Sequence, residues 1–102
     1  EGKYILILNP DFRLKNDFLY EAIKYLNIDK VGALSPLLYR MYDNNTLFED
    51  VCDTAGMHLQ PTFRHLDIYS NKTIKQSLST KYVWGVSGAA FFIKREILEK
   101  IK

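Results

Sequence analysis

The sequence predicts an α/β domain, and three observations carry that prediction. Tyr4-Ile5-Leu6-Ile7-Leu8 is an unbroken apolar run, the pattern of a strand buried on both faces. Phe18, Leu19, Ala22, Ile23 and Leu26 then recur at helical spacing and give one apolar face from Asp17 to Leu26. Val31 to Leu34 is a second short apolar run, closed by Ser35-Pro36. The order strand, helix, strand predicts a parallel βαβ unit with a right-handed crossover.

The first strand must stop at Pro10, which cannot donate to a sheet ladder. A carboxylate, Asp11, follows at once, and the carboxyl ends of buried strands are where open α/β sheets bind ligands. The plainer reading of Asn9-Pro10-Asp11 is an ordinary turn. Asn16-Asp17 offers capping chemistry for the helix, which Asn27 and Asp29 break. Leu37 to Met41 continues as an extended segment, and Asp43-Asn44-Asn45 signals a turn. Leu47 to Cys52 and Gly56 to Gln60 are short strands around a tight turn at Asp53-Thr54-Ala55-Gly56. From Pro61 to Lys81 the pattern dissolves into a long polar loop with a helical turn near Thr73 to Leu78; loops of this length are often functional. Tyr82 to Val86 and Ala90 to Ile93 are β-like on either side of Ser87-Gly88-Ala89, and Lys94 to Ile101 is amphipathic.

With 102 residues the chain makes one domain at most. Its hydrophobic share of 47% and charged share of 25% are those of an ordinary globular protein. A net charge of +2, with acids and bases interspersed, gives no reason to expect nucleic acid. No stretch approaches the roughly 18 apolar residues of a membrane span, and no signal peptide is visible. The single cysteine, Cys52, rules out an internal disulfide and suits a reducing, cytoplasmic location. The chain starts at Glu1 beside a buried-looking strand and ends at Lys102 inside a helical pattern, so it reads as a piece of a longer protein.

Two stretches could carry chemistry. Asn9 and Asp11 place two oxygen-bearing side chains at i and i+2 around a turn, where they could converge on Mg²⁺ or Mn²⁺ with phosphates completing the octahedron. In Trp84-Gly85-Val86-Ser87-Gly88-Ala89-Ala90, small residues let backbone approach a ligand and Ser87 offers a hydroxyl; a bulge or close sheet packing would use the same residues. Trp84 could stack on a sugar ring or join the core. His58 and His65 lack metal-ligand spacing and read as structural or solvated. Cys52 has no basic neighbour and reads as a small buried hydrophobe. Ser87 lacks the setting of a hydrolase elbow, and no phosphate-loop or dinucleotide fingerprint is present.

Taken in order, four segments resemble family 2 glycosyltransferases of the rhamnosyltransferase type. Tyr4 to Leu14, with its Leu8-Asn9-Pro10-Asp11, is similar to their "LLLNPDxxL" segment. Val31-Gly32-Ala33-Leu34-Ser35-Pro36 looks like their "vGavgP" strand, and Asp53-Thr54-Ala55-Gly56 like their "D-x-x-G" turn. Trp84 to Glu96 is similar to their "V-x-G-A-x-x-x-x-R-R-E" segment. The resemblance implies a GT-A fold: a nucleotide-diphospho-sugar-binding α/β architecture with a mixed central sheet and flanking helices, of which this chain is a partial domain. It implies that Asp11 is the ligand of a Mg²⁺ or Mn²⁺ ion on the donor diphosphate, with Asn9 as a sugar or nucleotide contact where a strict D-x-D motif has an acid. Trp84, Ser87, Gly88 and Ala89 are implied to line the donor and acceptor pocket. The catalytic base is implied to lie beyond Lys102, so no residue of this chain is assigned that role, and the chain alone is expected to be inactive.

The function expected on this basis is inverting, metal-dependent sugar transfer from a nucleotide-diphosphate donor to a glycan or lipid-linked acceptor in surface polysaccharide synthesis. The expected location is cytoplasmic, with a place at the inner face of the membrane as a further expectation. A non-catalytic interaction module on a degenerate scaffold and a nucleotidyltransferase are the rivals. Unpaired strand edges recruit partners, so a homodimer is a further expectation.

Overall fold

The computed structural model describes residues 2–42 and 46–102, with backbone alone for 42 and 46–50. These residues fall into two compact units, residues 1–36 with 88–102 and residues 37–87. The turn expected at Asp43-Asn44-Asn45 lies outside the described residues. No described helix is long and apolar enough to cross a membrane.

In the first unit, β1 (Tyr4–Leu8) and β2 (Ala33–Leu34) flank β7 (Ala90–Lys94) in a three-stranded sheet of order β1-β7-β2. β7 is antiparallel to both, in registers Tyr4↔Lys94 to Leu8↔Ala90 and Ala33↔Ile93 to Leu34↔Phe92. β1 and β2 therefore share a direction but do not touch; β7 separates them. Helix α1 (Phe18–Leu26) covers one face of this sheet, and α2 (Arg95–Ile101) follows β7 directly. The periodicity of α1 points Ala22 and Leu26 inward, where they form the core with Phe92. Tyr4, Leu6, Phe18, Val31 and Leu34 pack around them. The rings of Phe18 and Phe92 stack at 5.9 Å and 12°. Asp17 occupies the N-cap of α1, as expected, yet its side chain makes no capping hydrogen bond.

In the second unit, β3 (Leu38–Tyr42) pairs with β4 (Thr46–Thr54), and β5 (Met57–Leu59) with β6 (His65–Asp67), both antiparallel. Isolated bridges join Val51 to Thr73 and Met57 to Gly85.

This architecture corrects the expected fold class. A GT-A type α/β domain needs a mixed central sheet with flanking helices. Among the described residues every registered pair is antiparallel, the strands are divided among three small sheets, and strands outnumber the two helices. The physical reason is β7. Its five residues match β1 in register and take the place that a parallel neighbour would have filled. The expected loop from Pro61 to Lys81 also carries β6, and residues 73–78 form a bridge and bend with no helical turn.

Candidate functional site

The β1-β7-β2 sheet brings three of the four singled-out segments to one of its ends. Leu8 pairs with Ala90 at the end of the β1 ladder. One residue further on, the Asn9 N–H donates to the Ala89 carbonyl at 2.9 Å. On the other side of β7, the Ser35 hydroxyl lies 3.1 Å from the Ala90 carbonyl and 3.4 Å from its neighbour's, Pro36. Asn9-Pro10-Asp11, Ser35-Pro36 and Gly88-Ala89-Ala90 thus meet where β1 and β2 end and β7 begins.

Asn9 and Asp11 are both exposed, since Pro10 ends the ladder and turns the chain out of the sheet. Among the described residues no three His, Cys, Asp or Glu side chains group to hold a metal. Asp11 alone fits the role of one hard oxygen ligand, because Mg²⁺ is commonly held by one or two carboxylates plus substrate phosphates. Gly88 is exposed, and a Cβ added there would meet nothing within 4 Å. Its lack of a side chain serves no packing need, which leaves its backbone open to a ligand.

Trp84 and Ser87 belong to the second unit. Trp84 is not core: it is 59% exposed, and its ring stacks on His65 at 5.7 Å and 13°. Sequence reasoning missed this partner, because nothing in the spacing of His65 and Trp84 announces it. Ser87 is half-buried. Of the turn expected at Asp53-Thr54-Ala55-Gly56, Asp53 and Thr54 instead belong to β4, and the chain bends at Ala55 before Gly56. The buried Thr54 hydroxyl lies 3.2 Å from the Gly56 N–H and 3.0 Å from the Gly56 carbonyl, and Gly56 adopts φ +104°. Asp53 faces Arg40 at 3.5 Å, an ion pair in which the buried Arg40 Nε is not aligned for a hydrogen bond.

Cys52 is fully buried. Burial, and then the nearby carboxylates of Asp53 and Asp67, push its thiol above the ordinary value of 9.0. A protonated thiol is a poor nucleophile, which agrees with a packing role.

At the other end of the β1-β7 ladder lies an open groove of about 320 Å³ lined by Lys3, Lys94, Arg95, Glu96 and Glu99. Lys94 is only 8% exposed, and its ammonium donates to the Ile28 carbonyl at 3.1 Å. Bases and acids line this groove together, and none of the residues given a binding or metal role from the sequence lines it. Comparison with family models, with curated proteins and with solved structures finds no match.

Proposed function

We propose that this chain contributes the donor-diphosphate end of a nucleotide-sugar glycosyltransferase. The observation that carries the reading is the convergence of Asn9-Pro10-Asp11, Ser35-Pro36 and Gly88-Ala89-Ala90, which the sequence holds as much as about 80 residues apart, at one end of one sheet. Segments gathered by backbone hydrogen bonds are pre-organised, and pre-organisation is what a site for a charged, flexible diphosphate requires.

Asp11 presents its carboxylate on a turn anchored by the Asn9–Ala89 hydrogen bond. A bound Mg²⁺ or Mn²⁺ would supply charge neutralisation for the leaving diphosphate. Asn9 offers an amide that can donate to and accept from sugar hydroxyls, and the unencumbered Gly88 backbone admits close approach of the donor. No residue of this chain is assigned as general base.

Thermal unfolding with Mn²⁺ and a panel of nucleoside diphosphates tests the reading. A ligand at 100 times its Kd stabilises the folded chain by about 2.7 kcal/mol. The expected result is a raised midpoint that needs metal and nucleotide together and disappears in Asp11→Ala. An equal rise in Asp11→Ala, or none at millimolar nucleotide, counts against the reading.

A further inference from the structure

We propose that the aromatic and basic surface around Trp84 in the second unit binds an acidic glycan. This rests on the glycosyltransferase reading, and it names the acceptor class.

The surface follows from how one segment is pinned. Gly56 has no side chain, and Val83 fills the space: a Cβ at Gly56 would lie 3.0 Å from Val83 Cγ1. Two residues further on, Gly85 exchanges backbone hydrogen bonds with Met57 at 2.9 and 3.3 Å. With Val83 turned inward, its neighbours turn outward, and Tyr82 is 75% and Trp84 59% exposed. The Met57–Gly85 bridge and the Val83–Gly56 contact pin the segment that carries these rings. His65, fixed in the β5–β6 ladder opposite Leu59, backs the indole. The indole is thus held in place while still more than half exposed.

Charge indicates the class of ligand. Residues 61–84 carry Arg64, Lys72, Lys75 and Lys81 against one carboxylate, Asp67. Among the described residues, Arg64 and Lys81 form no ion pair, and the Lys81 ammonium lies 5.4 Å from the centre of the Tyr69 ring. Rigid Tyr and Trp rings offer large contact area at low entropic cost, and the apolar face of a pyranose matches such a ring. Arg64 and Lys81, chain neighbours of His65 and Tyr82, supply cations that match carboxylate or phosphate substituents on the sugar. A neutral glycan would leave those cations unused.

Trp84 is the chain's only tryptophan, so its emission reports this surface alone. The chain is titrated with hexagalacturonate, with maltohexaose as the neutral counterpart and with a short oligothymidylate. The expected result is a saturable change with hexagalacturonate that weakens as salt is raised, and binding of maltohexaose weaker by about tenfold or more. Tyr82→Ala keeps the Trp84 signal, and removing so exposed a ring leaves the core untouched; it should weaken hexagalacturonate by about tenfold. Equal affinity for both sugars, tighter binding of oligothymidylate, unchanged binding in Tyr82→Ala, or no response to any of the three would each overturn the proposal. No nucleotide or metal enters this titration, so its failure would leave the donor reading standing, and failure of the Asp11→Ala experiment would leave the glycan result intact.

Discussion

Replacing Gly56 by alanine perturbs the packing from which the Trp84 surface is built. Two costs arise. The backbone at Gly56 has φ +104°, and holding an L-residue at positive φ costs about 1–2 kcal/mol. The new methyl would stand 3.0 Å from Val83 Cγ1 and 3.1 Å from Cγ2, and forcing a methyl into occupied space costs about 1–3 kcal/mol. Together they amount to about 2–5 kcal/mol, a large share of the roughly 5–15 kcal/mol that holds a domain folded. Urea unfolding followed by circular dichroism measures the loss. A companion Val83→Ala change removes the two closest contacts, leaving Val83 Cβ at 3.3 Å and the backbone cost, so the double variant should be more stable than the sum of the single losses predicts, by about 1–2 kcal/mol. Because Val83 steers Trp84 outward, Gly56→Ala should also shift the tryptophan emission before any unfolding begins. A loss below about 1 kcal/mol, or strict additivity with Val83→Ala, would refute the packing argument.

Three further outcomes follow from the same geometry. Leu26 is fully buried against Ala22 and Phe92, so Leu26→Ala should cost about 2–5 kcal/mol in urea unfolding; a loss under about 1 kcal/mol would mean that α1 does not close the core. Phe63 sits at φ +62° with 83% of its surface exposed, so Phe63→Gly should raise the thermal midpoint, gaining up to about 1 kcal/mol as relieved strain exceeds glycine's added chain entropy; a lowered midpoint would show that the strain relieved is smaller than that entropy cost. For Cys52 the folded-state thiol titrates above 9.0, so the folded state holds its proton more tightly than the unfolded state. Its contribution to stability is fully present below pH 9.0 and is lost as pH rises from there through the folded value. Cys52→Ala should flatten that alkaline decline, and an identical pH profile in the two proteins would remove the thiol as its cause.

What was legible in the sequence was whatever a few neighbouring residues decide. The apolar run of β1 stops where Pro10 removes a donor, α1 appears where Phe18, Ala22 and Leu26 share a face, and Gly56 makes the turn that its freedom at positive φ allows. Partners distant in the chain left no such mark. Nothing in Ala90-Phe91-Phe92-Ile93-Lys94 says that this strand, about 80 residues after β1, runs antiparallel to it and displaces β2 from its side. A strand pattern specifies which faces are apolar, and it is silent about which edge a neighbour takes. The same limit governs the site. Asn9-Pro10-Asp11 and Ser87-Gly88-Ala89 could each be singled out alone, but the Asn9–Ala89 and Ser35–Ala90 hydrogen bonds exist only because β7 lies between β1 and β2. The strand order that overturned the expected fold is therefore also what brings the candidate donor segments together. A proline at Phe92, the middle of β7, would test that dependence. It removes a ladder donor of β7 and also the core ring that stacks on Phe18, a loss that alone costs about 3–5 kcal/mol. If the donor site depends on strand order, metal-dependent nucleotide binding should vanish even under conditions where the variant remains folded.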